Sequence, residues 1–323
     1  MKQGKTLAPR VVVVSRRSEL AELLDRHGTR GAAGYFLRQR GRGLDEVQTH
    51  HDALEAALTE VGAAIPPEWR RGAVDRSDLS RFLFAPEDIV VAVGQDGLVA
   101  NVAKYLSGQP VIGVDPEPGR NPGVLVRFIA SAVGPLLLNV QTGQATTQQR
   151  TMAQAALDDG QRLAGLNEIY FGHGSHQSAR YSLSTPDGHR ERHSSSGVVV
   201  GTGTGATGWC ASIARERAAP PRLPDPVTPE LCWFVREAWP SPSTGVDLTA
   251  GLIEPGQALE LTSEGDQLVC FADGIEDDRL ALAWGQRVTV SLADNHLTLV
   301  VPAQPQALQN QAHQNQGFQQ QQH

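Results

Sequence analysis

The chain has 323 residues, with 28 Lys and Arg against 35 Asp and Glu, and a formal net charge of -7. Its length predicts one large or two ordinary globular domains, and with 40% hydrophobic residues it can bury a core without disulfides or a structural metal. The acidic balance excludes a general nucleic-acid binder, which would carry a basic face; small anionic ligands would have to be held by local donors.

Val11–Val14 is a β-branched apolar run followed by Ser15, Arg16 and Arg17, then Ser18-Glu-Leu-Ala-Glu-Leu-Leu. A strand buried on both faces and feeding a helix is how a parallel α/β sheet begins. The run is too short for a signal h-region of roughly 7 to 15 apolar residues, and no stretch approaches the roughly 20 needed to span a bilayer. A soluble cytoplasmic protein with no membrane partner is expected. Gly28 to Gly43 sets Arg30, Arg38, Arg40 and Arg42 among glycines, either as a mobile basic loop over an anionic ligand or as a solvated loop with a short helix. Asp45 to Val61 has helical spacing.

Asp88 to Val93 predicts a second buried strand, ending in the turn Gly94-Gln95-Asp96-Gly97. A helix over Leu98 to Leu106 and a strand over Pro110 to Val114 complete a βαβ-like unit. In open α/β sheets ligands sit at the carboxyl ends of such strands, which makes the turn a candidate site. Its glycines permit close backbone approach and Asp96 presents a carboxylate; a purely structural Asp-Gly turn is the alternative. The breakers Pro116, Pro118, Gly119, Pro122 and Gly123 predict a boundary near residue 120.

Beyond it, short strand-like runs predict a mostly antiparallel β region: Leu136 to Val140, Glu168 to Phe171, Ala179 to Leu183, Gly197 to Val200, Leu231 to Val235, Ala258 to Leu261, Gln267 to Phe271, Val288 to Leu292 and Leu297 to Val301. Asp294-Asn295 is read as a hairpin turn between the last two. Residues 303 to 323 hold ten Gln and few large apolar side chains, and are read as a disordered tail. The expected organisation is an N-terminal α/β domain (1–120), a β-rich domain (121–302) and that tail.

Two further segments carry candidate chemistry. Asn167-Glu168 offers an amide and a carboxylate that can read a base or ribose, or receive a proton; a turn-capping Asn with an exposed Glu is the plainer reading. Gly201-Thr-Gly-Thr-Gly-Ala-Thr-Gly, ahead of Trp209, offers backbone N–H groups and the hydroxyls of Thr202, Thr204 and Thr207 as a phosphate or ribose cradle. A flexible Gly/Thr loop is equally open. The segment lacks the Lys of a P-loop. Gly203, Gly205 and Gly208 match the dinucleotide fingerprint, but among antiparallel strands rather than in a βαβ unit. His173 and His176 lack an identifiable third metal ligand. Asp273-Gly-Ile-Glu-Asp-Asp is read as an acidic hairpin turn, and Cys210, Cys232 and Cys270, without metal-type spacing, as buried thiols.

In order, the three segments resemble those of the NAD kinases, within the NAD kinase and diacylglycerol kinase-like superfamily, from about Val11 to Val301. Gly94-Gln95-Asp96-Gly97-Leu98 resembles that family's Gly-Gly-Asp-Gly-Thr motif, Leu166-Asn167-Glu168 its Asn-Glu motif, and Gly201 to Trp209 its Gly/Thr-rich segment. Val111-Ile-Gly-Val-Asp-Pro-Glu-Pro, Ser194 to Trp209 and Phe234-Val-Arg-Glu look most like the mitochondrial-type branch and its bacterial relatives.

The resemblance implies a Rossmann-like α/β domain, a mostly antiparallel β domain and a nucleotide cleft between them. It implies phosphorylation of the adenosine-ribose 2'-hydroxyl of NAD by ATP or another phosphate donor, with Mg²⁺ but no assigned metal ligand, in a homo-oligomer. By carry-over Asp96 is the catalytic carboxylate, accepting or orienting the hydroxyl proton. Gly94, Gly97, Asn167, Glu168, Thr202, Gly203, Thr204, Gly205, Thr207 and Trp209 hold the nucleotides. Gln95 stands where the motif has its second Gly, Leu98 where it has Thr, and Asp115 where Asn is usual. These departures leave a catalytically weak NAD(P)-binding or regulatory homologue, or a related lipid or sugar kinase, as alternatives.

Overall fold

The computed structural model describes residues 8–120 and 123–303; the expected Gln-rich tail lies, except for Ala303, outside the described residues. Along the chain run β1 (Arg10–Ser15), α1 (Glu19–His27), α2 (Arg30–Arg38), α3 (Leu44–Ala64), β2 (Arg70–Asp75), β3 (Ile89–Val93), α4 (Asp96–Ala103), β4 (Pro110–Val114), α5 (Val133–Gln141) and β5 (Thr147–Arg150). There follow β6 (Ala153–Leu157), β7 (Arg162–Gly165), β8 (Glu168–His173), β9 (Ala179–Ser184), β10 (Arg190–Ser195), β11 (Gly197–Thr202), α6 (Trp209–Arg215), β12 (Leu231–Arg236), β13 (Ala250–Ile253), β14 (Ala258–Ser263), β15 (Leu268–Ala272), β16 (Ile275–Leu282), β17 (Arg287–Leu292) and β18 (Leu297–Val300).

The fold is mixed α/β, with three six-stranded sheets. In the first, ordered β2-β1-β3-β4-β18-β5, every pair is parallel except β18 with β5. Alternate residues of its inner strands face opposite ways and both faces are covered, hence the unbroken apolar runs. Val12, Val14, Val90 and Ala92 pack with Val99 and Val102 of α4. Val11, Ile89, Val91 and Val93 pack with Ala57 and Val61 of α3 and with Val133 and Leu137 of α5.

The other sheets, β10-β9-β14-β17-β6-β7 and β13-β12-β11-β8-β15-β16, are antiparallel throughout. They share one apolar core, in which Tyr181, Leu261 and Val290 of one meet Phe171, Val200 and Trp233 of the other. The far side of the second is covered by α6, whose Cys210 and Ala214 pack on Val199, Cys232 and Phe234. All three cysteines are free and buried.

Several expectations are corrected. Leu136 to Val140 is helical: within α5, Val133 and Leu137 are buried while Leu138 is 50% exposed, a helical rather than alternating pattern. Val288–Leu292 and Leu297–Val301 do not form a hairpin. Strand β17 pairs with β14 and β6, whereas β18 inserts between β4 and β5 in the first sheet, so Asp294-Asn295 lies in a crossing between sheets. The basic stretch after Gly28 is largely α2, capped by Thr29 through Ala32 N at 3.2 Å. It packs with α1 and α3 through Leu20, Ala33 and Val47. Arg42 pairs with Glu19 and Arg40 lies over the Phe36 ring. Of the expected acidic hairpin turn over residues 273–278, only Asp273 and Gly274 form the loop from β15 to β16, with φ of 53° and 67°, the positive angles that an Asp-Gly turn accommodates; residues 275–278 already belong to β16.

Candidate active site

The chain leaves β1 by helices on one face of the first sheet to reach β2, and leaves β3 by α4 on the other face to reach β4. Between β1 and β3 the connections therefore diverge, and such a switch point opens a crevice at the strands' carboxyl ends. A cleft of about 680 Å³ lies there, lined by Arg16 and Arg17 after β1, Arg76 after β2, Gly94, Gln95 and Gly97 after β3, and Asp273 from the β15–β16 hairpin.

The departures from the family's first motif have local reasons. Gln95 is the N-cap of α4 with φ -92° and ψ 168°, a conformation open to any residue. Leu98 is 5% exposed, in the core beneath the sheet; an apolar side chain suits that place. Asp115 Oδ1 accepts from Glu117 N at 2.9 Å, a local turn contact.

Asp96 opens α4, and its carboxylate is turned to the segment after β4. Oδ2 accepts from Val124 N at 2.8 Å, and Oδ1 from Leu125 N at 2.8 Å and Val126 N at 2.9 Å. Three of about four acceptor positions on the carboxylate are thus filled by backbone. That segment crosses β4 closely: a Cβ on Gly113 would lie 2.2 Å from the Leu125 carbonyl oxygen, which makes glycine obligatory there.

Asn167 and Glu168 begin β8 and are held from two sides. Asp273 Oδ2 accepts from Leu166 N at 2.8 Å, and its Oδ1 accepts from Asn167 N at 2.7 Å and Glu168 N at 3.3 Å. On the other side the Asn167 carbonyl accepts from Thr202 N at 2.9 Å. Burial, then the neighbouring Asp273 charge, pushes the Glu168 carboxyl up to about 7. Burial likewise pushes Asp273 up to about 6, against the opposing pull of its three backbone donors and Lys104. A pair of carboxyls titrating near neutrality is characteristic of functional sites.

The Gly/Thr segment is packed rather than open. Thr202 Oγ1 donates to the Leu166 carbonyl at 2.5 Å and accepts from Thr204 N at 3.1 Å and Gly205 N at 3.3 Å. Thr207 Oγ1 donates to the Thr204 carbonyl at 2.9 Å. A Cβ on Gly203 would stand 2.0 Å from the Asp225 carbonyl oxygen, and one on Gly205 2.1 Å from that of Asn167. These glycines admit neighbouring protein backbone, so the expected cradle of free N–H groups at a helix start is replaced by a buttress under Asn167. Thr204 is the exception, its buried Oγ1 having no hydrogen-bond partner among the described residues. Trp209 opens the short α6, stacks with Tyr170 at 5.9 Å and lies beneath the Arg236 guanidinium.

The structure therefore brings Asn167 and Glu168 together with Thr202, Thr204 and Gly205, and sets Gly94 and Gly97 in the cleft. Asp273 joins the two groups: besides capping residues 166–168 it lines the cleft, and its carbonyl accepts from Asn101 Nδ2 of α4 at 3.1 Å. Sequence reasoning gave Asp273 only a turn; the Asp-Gly dipeptide between apolar runs located it without revealing what its carboxylate binds. His173 Nδ1 accepts from Ser175 N at 3.0 Å, and the described residues hold no cluster of three or more metal-ligating side chains.

No protein-family model matches the chain. A curated NAD kinase of Chlorobaculum tepidum is 24% identical over 230 residues, covering 70% of this chain and 74% of its own length. One from Caldanaerobacter subterraneus subsp. tengcongensis is 26% identical over 223 residues, covering 66% and 75%. Human mitochondrial NAD kinase 2 is 27% identical over 173 residues, covering 40% and 39%. The crystal structure of yeast NADH kinase complexed with NADH superimposes with a TM-score of 0.59 at 12% identity, over 93% of this chain and 85% of that one. The chain is similar to these curated NAD kinases over about two thirds of its length. Two of the three segments, remote in sequence, meet at the Asn167 backbone. No helix among the described residues is long and apolar enough to cross a membrane.

Proposed function

We propose that the protein is an NAD kinase, transferring a phosphoryl group from ATP or another donor to the adenosine-ribose 2'-hydroxyl of NAD. The observation that carries this reading is the cleft at the sheet's switch point, which shares Asp273 with the Asn167–Glu168 segment. Donor and acceptor then occupy neighbouring compartments on either side of one residue, within a Rossmann-like α/β domain, a β domain and the nucleotide cleft between them. Phosphoryl transfer depends mainly on positioning and charge neutralisation.

Asn167 and Glu168 would hold the adenosine portion, with the free Thr204 hydroxyl beside them and Thr207 and Trp209 at the rim. Thr202, Gly203 and Gly205 would set the position of Asn167. Of the two roles expected for Asp96, orienting fits its filled carboxylate better than accepting the proton: its three backbone donors fix the segment after β4 against α4. Glu168, titrating near 7, would accept the hydroxyl proton.

Mg²⁺ typically keeps one or two protein carboxylates and the substrate phosphates as ligands; Asp273 lines the cleft wall, but its carboxylate is filled by the N–H groups of Leu166, Asn167 and Glu168, so no protein ligand is assigned and the substrate phosphates would carry the ion. When bound, the ion would neutralise charge on the transferring phosphoryl group. Homo-oligomerisation and a cytoplasmic location also belong to this proposal.

Purified protein with ATP, Mg²⁺ and NAD should form NADP. Glu168→Gln should lower kcat by about 10²-fold or more and abolish its rise through pH 7, with the thermal midpoint retained. No NADP from any phosphate donor would refute the assignment.

A further inference from the structure

We propose that a second pocket, in the antiparallel β region and apart from the nucleotide cleft, binds a small primary amine that also carries a carbonyl acceptor. It is walled by the β9–β10 turn, Trp233 of β12, the strand β13 and the turn that follows it. Its volume of about 410 Å³ lies within the usual range for a small-molecule site. Strand β13 is three places from β8 in its sheet, roughly 14 Å by strand spacing, and neither Asp96 nor Asn167 nor Glu168 lines the pocket. The inference stands whether or not the protein is a kinase.

The floor supplies a hydrogen-bond donor. Trp233 is 3% exposed, and its buried Nε1 has no partner among the described residues, whereas a buried indole N–H ordinarily has one. Gly251, which pairs with Trp233 across β12 and β13, also lines the pocket, and a Cβ there would stand 2.7 Å from Nε1. The glycine thus keeps that side of the indole clear of side chains, so that a carbonyl oxygen can approach the N–H from the pocket. The wall beside it is fixed: the Glu191 carboxylate accepts from Asp247 N at 3.1 Å and from Leu248 N at 2.9 Å.

The rim sets the sign of the ligand. Asp187, Asp247 and Glu254 stand around it, and no Lys or Arg lines the pocket. Asp187 is occupied by Thr185 and His189. Among the described residues the Glu254 carboxylate meets only Gln257 Nε2, at 3.5 Å, and the Asp247 carboxylate has no partner. Such a field repels phosphates and carboxylates and attracts a cation. The described residues hold no cluster of metal-ligating side chains, which leaves an organic cation. Pro186, Leu248 and Leu252 give the pocket apolar wall, suited to a short methylene chain between an ammonium at the rim and a carbonyl at the floor.

Calorimetry with 4-aminobutanamide tests this against propylamine, which has the amine alone, and butanamide, which has the carbonyl alone. The wild-type protein should bind 4-aminobutanamide with a Kd of about 1–10 mM, and each comparator about fivefold or more weakly. The double variant Asp247→Asn, Glu254→Gln changes only exposed side chains and should weaken binding about fivefold. By NMR, the one of the five Trp indole N–H signals that disappears in Trp233→Phe should move downfield as 4-aminobutanamide is added. If that variant does not fold, the signal is assigned instead by its proximity to Gly251. No saturable binding by the wild-type protein, equal binding of 4-aminobutanamide and butanamide, equal binding by the acid variant, or an unmoved Trp233 signal would each overturn the inference.

Discussion

Replacing Asp273 by Ala tests whether one carboxylate unites the two halves of the site. Two of its backbone bonds are short, 2.8 Å from Leu166 N and 2.7 Å from Asn167 N, and the third, from Glu168 N, is 3.3 Å. A buried N–H left without a partner costs roughly 1–3 kcal/mol, so losing the two short bonds costs about 2–6 kcal/mol. Alanine at φ 53° adds about 1 kcal/mol of left-handed strain. Removing a negative charge beside Glu168 offsets part of this, and it is the lesser part, because burial is the larger cause of the Glu168 shift. The net expectation at pH 8 is a loss of about 2–5 kcal/mol. Asp273→Asn, which keeps one acceptor oxygen and tolerates the turn, should lose about half as much. Urea unfolding with an unchanged m-value measures both. In the Asn variant the Glu168 carboxyl, followed by NMR, should titrate below about 7. Both carboxyls titrate higher folded than unfolded, so the stability they contribute is complete below about pH 4 and is lost as pH rises toward 7; the Asn variant should flatten that slope. A loss below about 1 kcal/mol in the Ala variant, equal to that in the Asn variant, would refute the reasoning.

The packing of the Gly/Thr segment gives a contrast between neighbouring glycines. Gly205→Ala sets a Cβ 2.1 Å from the Asn167 carbonyl oxygen, whereas Gly208→Ala meets nothing nearer than 3.8 Å. The first should lose about 2 kcal/mol or more and the second under about 1 kcal/mol, as read from thermal midpoints. In α5, Leu137→Ala should cost about 2–5 kcal/mol and Leu138→Ala about 0.5 kcal/mol or less. Similar losses at the two positions would argue against the helix.

The strands legible in the sequence are mostly interior ones, whose apolar runs or alternation follow from burial. Those without an expected counterpart are the six sheet edges, β2, β5, β7, β10, β13 and β16, together with the alanine-rich β6. Edge strands need fewer apolar residues, and Arg-Glu-Arg-His-Ser-Ser in β10 or Thr-Gln-Gln-Arg in β5 reads as loop for that reason. At the site, the Gly94 turn was legible because a buried strand ends in glycines. The partners of Asp273 were not, since residues 166–168 lie more than 100 positions away. Nor were the roles of Gly203 and Gly205: a glycine that admits protein backbone has the same sequence signature as one that admits a ligand.

The placement of β18 carries a consequence for the order of assembly. It is the last described strand, yet it sits between β4 and β5 and, among the described residues, is the only strand through which β5 joins the parallel sheet. A growing chain therefore carries β4 with an open edge until residues 297–300 have left the ribosome, long after the first four strands of that sheet. Non-local closure of this kind slows folding and leaves unpaired backbone exposed meanwhile. The first sheet formed from the N-terminus is also the last to be completed, and a chain cut near residue 120 would lack the strand that closes it.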